Sequence, residues 1–283
     1  MICFLCGAKM KARRIWLFNC PSCGIESSNL KAGSGRGIGG LESLRRHNFS
    51  AMMDRIEKHY SLSNKSVLEV GCAEGWFLEE ARARGLRVIA IEPSTEHAEI
   101  ARAKGFKVLD GYFPQSAPSE TKFDFVVFND VFEHLPDPQG AIESCHGLLN
   151  PGGALVLNLP SNTGIVYRVA SLLDRLGMSS TLDRLWQKDF PSPHLTYFNA
   201  DTLRRFVTSN TELRHVETLP LDTIVSDGLS ERIRASHRGL TGWMLHTILL
   251  LALPFVRILP ADIIVGIFEK PAERKDDAVL SKA

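Results

Sequence analysis

Short apolar runs recur along this chain at 66–70, 87–92, 106–109, 123–129, 153–159, 214–220 and 262–269, and each reads as a β-strand. Between the early runs the apolar positions switch to helical spacing. Phe77, Leu78 and Ala81 form a stripe after the first run, and Thr95–Lys104 and Gln139–Leu148 read as further helices. Strand alternating with helix predicts an α/β fold with a parallel, doubly wound sheet. Upstream, Met52, Met53, Ile56 and Tyr60 predict a helix from about Leu41 to His59. Two stretches are additions to this plan. The first, 162–193, carries Val166, Val169, Leu172, Leu173 and Leu176 at helical spacing, then Leu182, Leu185 and Trp186. The second, 222–261, centres on fourteen uncharged residues, Trp243–Val256. That run is too short for a membrane span. It reads as a lid or core helix, or, over 243–259, as a dimer contact or a helix lying in a membrane interface.

The turns between these elements carry the chemistry. The first strand ends in Glu69-Val70 and passes through Gly71-Cys72-Ala73-Glu74-Gly75 directly into a helix. The second strand ends in Glu92. A strand, a glycine turn, a helix and a second strand ending in an acid make half of a nucleoside-binding unit. Gly71 and Gly75 let the backbone approach a ligand, and Glu92 can accept hydrogen bonds from both ribose hydroxyls. A dinucleotide site needs G-x-G-x-x-G against a pyrophosphate. Here Glu69 would repel phosphate but can hold an ammonium, so a nicotinamide oxidoreductase is disfavoured. A ligand with a ribose and an ammonium but no phosphate is S-adenosylmethionine.

With these motifs, over roughly residues 60–270, the chain resembles class I S-adenosylmethionine-dependent methyltransferases of the type 11/23 branch, which carry a stretch like Val131-Phe132-Glu133-His134-Leu135. The resemblance implies a Rossmann-like sheet of seven strands, the last antiparallel and inserted between the fifth and sixth. It implies cofactor contacts from Glu69, Gly71, Cys72, Ala73 and Gly75 on the methionine side, and from Glu92 and Pro93 at the ribose. Asp110, Gly111 and Tyr112 are expected near adenine, and Asn129 near the sulfonium. Ala73 stands where many members have glycine. The predicted helix over 41–59 is expected beside the cofactor entrance. His194, in a Pro193-His194-Leu195 stretch like one in the family, and His134 are the two candidate bases; which of them acts is open at this level. Asp130 reads alternatively as a helix N-cap, with Glu133 three residues on completing the pattern.

Cysteine spacing adds a second module. Cys3-x-x-Cys6-Gly7 and Cys20-x-x-Cys23-Gly24 suit four thiolates around one structural zinc. Residues 1–27 therefore read as a zinc-ribbon-like module, expected to lie outside the α/β core. Residues 28–62 read as a linker, rich in Gly and Ser, and a helix. Residues 63–270 read as the methyltransferase domain and 271–283 as a flexible tail. Cys72 and Cys145 fall outside the pattern and read as reduced packing residues.

Charge refines the partner class. The chain of 283 residues carries a net +1, which argues against a dedicated nucleic-acid binder. Residues 1–50 nevertheless hold eight Lys and Arg against two acids, a local +6. Met1 leads straight into the cysteine motif, so a cytoplasmic protein is expected, peripheral to a membrane if the apolar helix lies on one. The expected function is methyl transfer to a small molecule or a glycan or lipid precursor. The alternatives are an RNA methyltransferase gripping substrate with the basic ribbon, and a non-catalytic S-adenosylmethionine-binding protein.

Overall fold

The computed structural model describes residues 1–33, 41–234, 239–256 and 258–272. The glycine-rich linker from Ser34 to Gly40 and the tail beyond residue 272 lie outside the described residues. The N-terminal segment forms three short strands, β1 (Lys11–Ala12), β2 (Leu17–Asn19) and β3 (Glu26–Ser28), followed by α1 (Glu42–Glu57). The α/β unit then runs β4 (Ser66–Val70), α2 (Trp76–Ala83), β5 (Arg87–Glu92), α3 (Thr95–Ala103), β6 (Lys107–Asp110), β7 (Phe123–Asn129), α4 (Pro138–Leu148) and β8 (Leu149–Pro160). Next come α5 (Ile165–Arg175), α6 (Ser180–Leu185), β9 (Thr196–Tyr197), α7 (Ala200–Asn210) and β10 (Arg214–Leu221). The described order closes with α8 (Leu229–Arg234), α9 (Gly239–Val256) and β11 (Ile263–Glu269).

The main sheet has seven strands in the order β10-β11-β8-β7-β4-β5-β6. Strands β6, β5, β4, β7 and β8 are parallel, and β11 is antiparallel to both β8 and β10. This is the expected seven-stranded arrangement with its last strand inserted before the sixth. Along β7 the side chains alternate between two buried faces. Phe125 and Val127 meet Met52, Met53 and Phe77 of α1 and α2, while Val126 and Phe128 face a cluster containing Ile142, Leu203 and Phe206. Strand β8 starts before the expected residue 153. Leu149 pairs with Phe123, the register slips across the Asn150-Pro151-Gly152 turn, and Ala154 then pairs with Phe125. A bulge absorbs the turn without ending the strand.

The cysteine module is not outside the core, contrary to the sequence expectation. Cys3, Met10, Cys20 and Ile25 are buried in the same cluster as Phe128, Phe132 and Phe198. The Phe4 ring packs edge-on against Phe206, with centroids 5.3 Å apart. Strand β3 pairs with β9 through Glu26–Tyr197 and Ser27–Thr196, giving a second sheet of order β1-β2-β3-β9. Leu17 shares a small cluster with Tyr167, Leu182, Trp186 and Tyr197, so the module is fused to the 162–193 addition. Arg13 and Arg14 both pair with the Asp174 carboxylate of α5, and Arg13 also lies 3.6 Å from Glu26. The physical reason is size. Three strands of two or three residues bury too little apolar surface to stand alone.

The uncharged helix is not a fully buried core helix. On α9, Trp243, Met244, Ile248, Leu250 and Leu251 are exposed. Among the described residues, no helix is long and apolar enough to cross a membrane.

Candidate functional site

The carboxyl ends of β4, β5, β6 and β7 converge at the switch point, where parallel sheets bind ligands. The turn after β4 is built on left-handed backbone, with Gly71 at φ 75°, Ala73 at 46° and Gly75 at 79°. A Cβ on Gly71 would lie 2.5 Å from a methyl of Val131, so only glycine fits there. Ala73 adopts the same hand despite its Cβ, at a cost of order 1 kcal/mol. Glu92 fixes the turn. One carboxylate oxygen accepts from Ala73 N at 2.9 Å and the other from Ser94 N at 3.0 Å, leaving one lone pair on each for a ligand. Pro93 is exposed beside it. The Cys72 side chain turns away into a core with Leu78, Ala101 and Phe106, so this residue offers the site only backbone.

Behind the turn lies a buried polar chain. Asn158 donates to Asn129 at 3.2 Å, and Asn129 donates to Glu69 Oε1 at 2.8 Å. Glu69 Oε2 is buried without a partner. Burial lifts the Glu69 carboxyl to about 8 against the pull of the Asn129 hydrogen bond, and the Glu92 charge adds to the rise. The raised value marks a buried carboxyl with no positive group beside it to favour its ionised form.

Around the stretch expected near adenine the arrangement is open. Asp110 is exposed and paired with Arg102 at 2.7 Å, and Tyr112 is 57% exposed at the end of β6. Gly111 sits at φ 119°, where a Cβ would come 2.1 Å from Ser116 Oγ. The expected helix at the entrance is α1. Arg45 reaches Asp130 at 3.0 Å, and Arg46 lies over the Trp76 ring. Asp130 is not a helix cap; at φ 53° it begins a 3-10 turn over Phe132–His134.

That turn brings the two candidate histidines together. His134 and His194 have ring centroids 4.6 Å apart. Leu195 N donates to Glu133 O at 2.8 Å, docking the 194–197 segment on the turn, while Ser28 N and Oγ hold Leu195 O and His194 O from β3. Burial, reinforced by the His134 ring, holds His194 well below the usual histidine range; burial also lowers His134. Both imidazoles are therefore neutral near pH 7. Glu133 is 1% exposed, and burial raises its carboxyl strongly, helped by the Asp130 charge. Sequence reasoning missed Glu133, Asn158 and Gln187 as site residues. The adjacent Glu133-His134 pair at a strand tip was the available signal for the first.

The four cysteines form a compact cage. Their sulfurs all lie within 4.8 Å of one another, with Cys6–Cys20 at 3.4 Å and Cys3–Cys23 at 3.6 Å. Tetrahedral Zn–S bonds of about 2.3 Å imply S···S near ~3.8 Å, so the cage fits zinc after a slight expansion. Gly7 at φ 70° and Gly24 at 81° close the two knuckles. Burial opposes ionisation of Cys20, but N–H groups of Cys23 and Ser22 aimed at its sulfur bring it down to about 6.

These features define a Rossmann-like methyltransferase architecture. The methyltransferase domain profile matches residues 44–213, and the chain belongs to that family. Ubiquinone biosynthesis O-methyltransferase of Xylella fastidiosa (strain M23) is 32% identical over 129 residues, covering 42% of this chain and 51% of the relative. The enzyme of the same name from Xanthomonas campestris pv. campestris (strain B100) is 35% identical over 126 residues, covering 42% and 52%. The chain thus spans about half the length of these relatives. An S-adenosylmethionine-dependent methyltransferase from Mesorhizobium loti shares the fold, with a TM-score of 0.52 at 13% identity, covering 78% of this chain and 97% of its own. So does the cyclopropane synthase MmaA2 of Mycobacterium tuberculosis, at 0.54 and 16%, covering 77% and 82%.

Proposed function

We propose that this protein is an S-adenosylmethionine-dependent methyltransferase acting on a hydroxyl of a small molecule or a glycan or lipid precursor. The supporting observation is the pair of buried carboxyl groups at adjacent strand tips. Glu92 keeps a free lone pair on each oxygen for ribose hydroxyls, and Glu69 lacks the cation that a methionine ammonium would supply. The backbone of Gly71–Gly75 would hold the amino-acid portion, and the exposed Asp110–Tyr112 stretch would meet adenine. When bound, S-adenosylmethionine supplies a methyl group activated on a sulfonium. The chain aligns the acceptor oxygen in line with that methyl, excludes water and receives the hydroxyl proton as the C–O bond forms and the S–C bond breaks. His194 and His134, both neutral and on the 133–134 and 194–197 side, are the groups assigned to the acceptor. Hydroxyl acceptors accord with the named O-methyltransferase relatives. The RNA reading loses support because Arg13 and Arg14 of the basic module are engaged by Asp174. Exposed Val166, Val169 and Leu172 on α5 and Leu176 at its end, with the exposed apolar residues of α9, give a surface for a lipid-phase acceptor or a second copy of the chain. The four-thiolate cage takes a structural zinc and suits the reducing cytoplasm.

Glu92→Ala is expected to weaken S-adenosylmethionine binding by 1.5–3 kcal/mol, roughly 10- to 150-fold, because it removes a charged acceptor shared by two hydroxyls and the turn itself. Calorimetry showing unchanged affinity would remove Glu92 from the ribose.

A second expectation concerns protons. With its carboxyl raised to about 8, Glu69 is mostly protonated at pH 7 in the free protein. A bound ammonium favours the ionised form, so binding at pH 7 should release close to one proton, and the release should vanish well above pH 8. Binding heats measured in phosphate and in Tris should differ for the wild type and agree for Glu69→Gln. Equal heats in both buffers for the wild type would separate Glu69 from the ammonium.

A further inference from the structure

The hydrogen bonds around His194 fix its tautomer. Tyr197 donates its hydroxyl proton to the Leu185 carbonyl at 2.8 Å. A hydroxyl has one proton to give, so the Tyr197 oxygen accepts from His194 Nδ1 at 3.2 Å. Nδ1 therefore carries the ring proton, and Nε2 of the neutral ring is an acceptor. Its donor is the side-chain amide of Gln187, whose nitrogen lies 3.0 Å away. Glu133 Oε1, at 3.9 Å, is too far to share a proton with the same nitrogen. The lone pair assigned to the acceptor's proton is thus already occupied in the ligand-free protein. Gln187 is well anchored for this contact. It follows the fully buried Trp186, its N–H donates to Arg184 O, and its carbonyl accepts from Phe190 N, each at 3.0 Å. Its backbone is held left-handed at φ 49°, a conformation that a Cβ disfavours. The backbone thus fixes the point from which the side chain reaches, while the half-buried side chain keeps its own rotations.

We infer that Gln187 is an acceptor-binding residue: it occupies the His194 lone pair in the empty site, yields it to an acceptor hydroxyl, and then holds that hydroxyl's oxygen through the same N–H. The inference rests on the methyl-transfer reading above. One lone pair takes one donor, so an acceptor that gives its proton to Nε2 must displace the amide. The entering atom then lies between the ring and the amide nitrogen. A hydroxyl oxygen suits all its neighbours there. It has one bond to carbon, one to hydrogen and two lone pairs. The hydrogen goes to His194 Nε2, one lone pair accepts from Gln187, and the other faces the methyl. As the O–C bond forms, the S–C bond breaks with its electron pair left on sulfur. The hydroxyl proton passes to Nε2, and the resulting imidazolium returns it to solvent. Negative charge developing on the oxygen is stabilised by the amide N–H. A neutral amine has one lone pair. With that pair aimed at the methyl it has nothing to accept the N–H, and it binds only if the amide turns end for end. An ammonium has no lone pair at all. In the empty site the same amide keeps a buried acceptor from standing without a donor.

The test uses the full chain labelled with nitrogen-15 in histidine and glutamine, and phenol and aniline as probes of the same shape. Each probe is titrated with and without S-adenosylhomocysteine, the demethylated cofactor, and followed by nuclear magnetic resonance. In the free wild type His194 Nε2 is expected to be unprotonated. Phenol is expected to shift the His194 Nε2 and Gln187 amide signals together, and to bind about tenfold or more tightly than aniline. Gln187→Met, which keeps the length but not the N–H, is expected to bring the two probes within about threefold of each other, by loss of phenol affinity. A protonated Nε2 in the free wild type overturns the proposal. So does a wild type that takes up no phenol, or one in which aniline binds as tightly. Wild-type phenol affinity in Gln187→Met overturns it as well. Should that variant fail to fold, Gln187→Glu carries the comparison. A carboxylate cannot donate, so Nε2 should take up a proton and phenol should again lose its affinity; an unprotonated Nε2 there overturns the contact. A chain that binds phenol in this way but not S-adenosylhomocysteine would overturn the proposed function and leave the role of Gln187 in holding a hydroxyl standing.

Discussion

A His194→Ala variant is expected to lose turnover by roughly 10²-fold or more, about 2.7 kcal/mol or more in the barrier, while keeping its affinity for S-adenosylmethionine. The argument is positional. His194 belongs to the 194–197 segment, held between β3 and the 133–134 turn, and its hydrogen bonds run to Ser28, Trp186, Gln187 and Tyr197, away from the Gly71–Gly75 turn and Glu92. The alanine removes the ring nitrogen, Nε2, that the Gln187 side chain contacts at 3.0 Å and that would take the acceptor's proton. It also empties a buried position, so a control is needed. Tyr197→Phe removes the acceptor of His194 Nδ1 but keeps the imidazole, and it should lower turnover several-fold at most with a similar melting temperature. The measurement is kcat and KM for a methylated acceptor, alongside cofactor affinity by calorimetry. Full turnover in His194→Ala would reduce the residue to a tie between Tyr197 and Gln187.

The second large effect is expected from the cysteine cage. Cys20 is 1% exposed and packed in the main core, so Cys20→Ser removes a ligand and places a hydroxyl among apolar neighbours. Structural zinc in small modules is worth about 10–16 kcal/mol of apparent folding energy, and three short strands have little else to hold them. Loss of β3 frees one edge of β9 and the carbonyls of His194 and Leu195. Turnover should fall more than tenfold, with protease cleavage appearing between residues 1 and 33. Cofactor affinity should change far less, because the Gly71–Gly75 turn makes its hydrogen bonds with β5, α2 and Lys104 and within itself, none of them with the cysteine module. Full turnover in a variant shown to be metal-free would uncouple the module from the site.

The sheet was legible because its strands are short apolar runs separated by turns and helical stripes, and because Glu69 and Glu92 fall at strand ends within the strand–glycine turn–helix–strand pattern. His134 and His194 were legible as types, not as a pair. Sixty residues separate them in sequence, and their meeting depends on the Leu195 N–Glu133 O bond, which leaves no local pattern. Glu133 was hidden by a plausible capping pattern that the left-handed backbone of Asp130 rules out. The fusion of the cysteine module was hidden for a similar reason. Strand β9 has only two residues, too few to show alternation, and the Asp174 partner of Arg13 and Arg14 lies in a helix read as a separate addition. The exposure of α9 was not legible, since an apolar run reports hydrophobicity and not what covers it.

The pairing of β3 with β9 also sets an order of events during synthesis. The four cysteines leave the ribosome early, but the strand that completes their sheet is near residue 196. At 5–20 residues per second that delay is about 10–30 s. Through it, Leu17 and Ile25, both fully buried in the finished protein, have no partner surface, and the thiolates are open to oxidation. Early metal capture by the proposed zinc cage would then protect the chain as well as fold it. Cells starved of zinc should accumulate the nascent chain as oxidised aggregates before they accumulate an inactive folded protein.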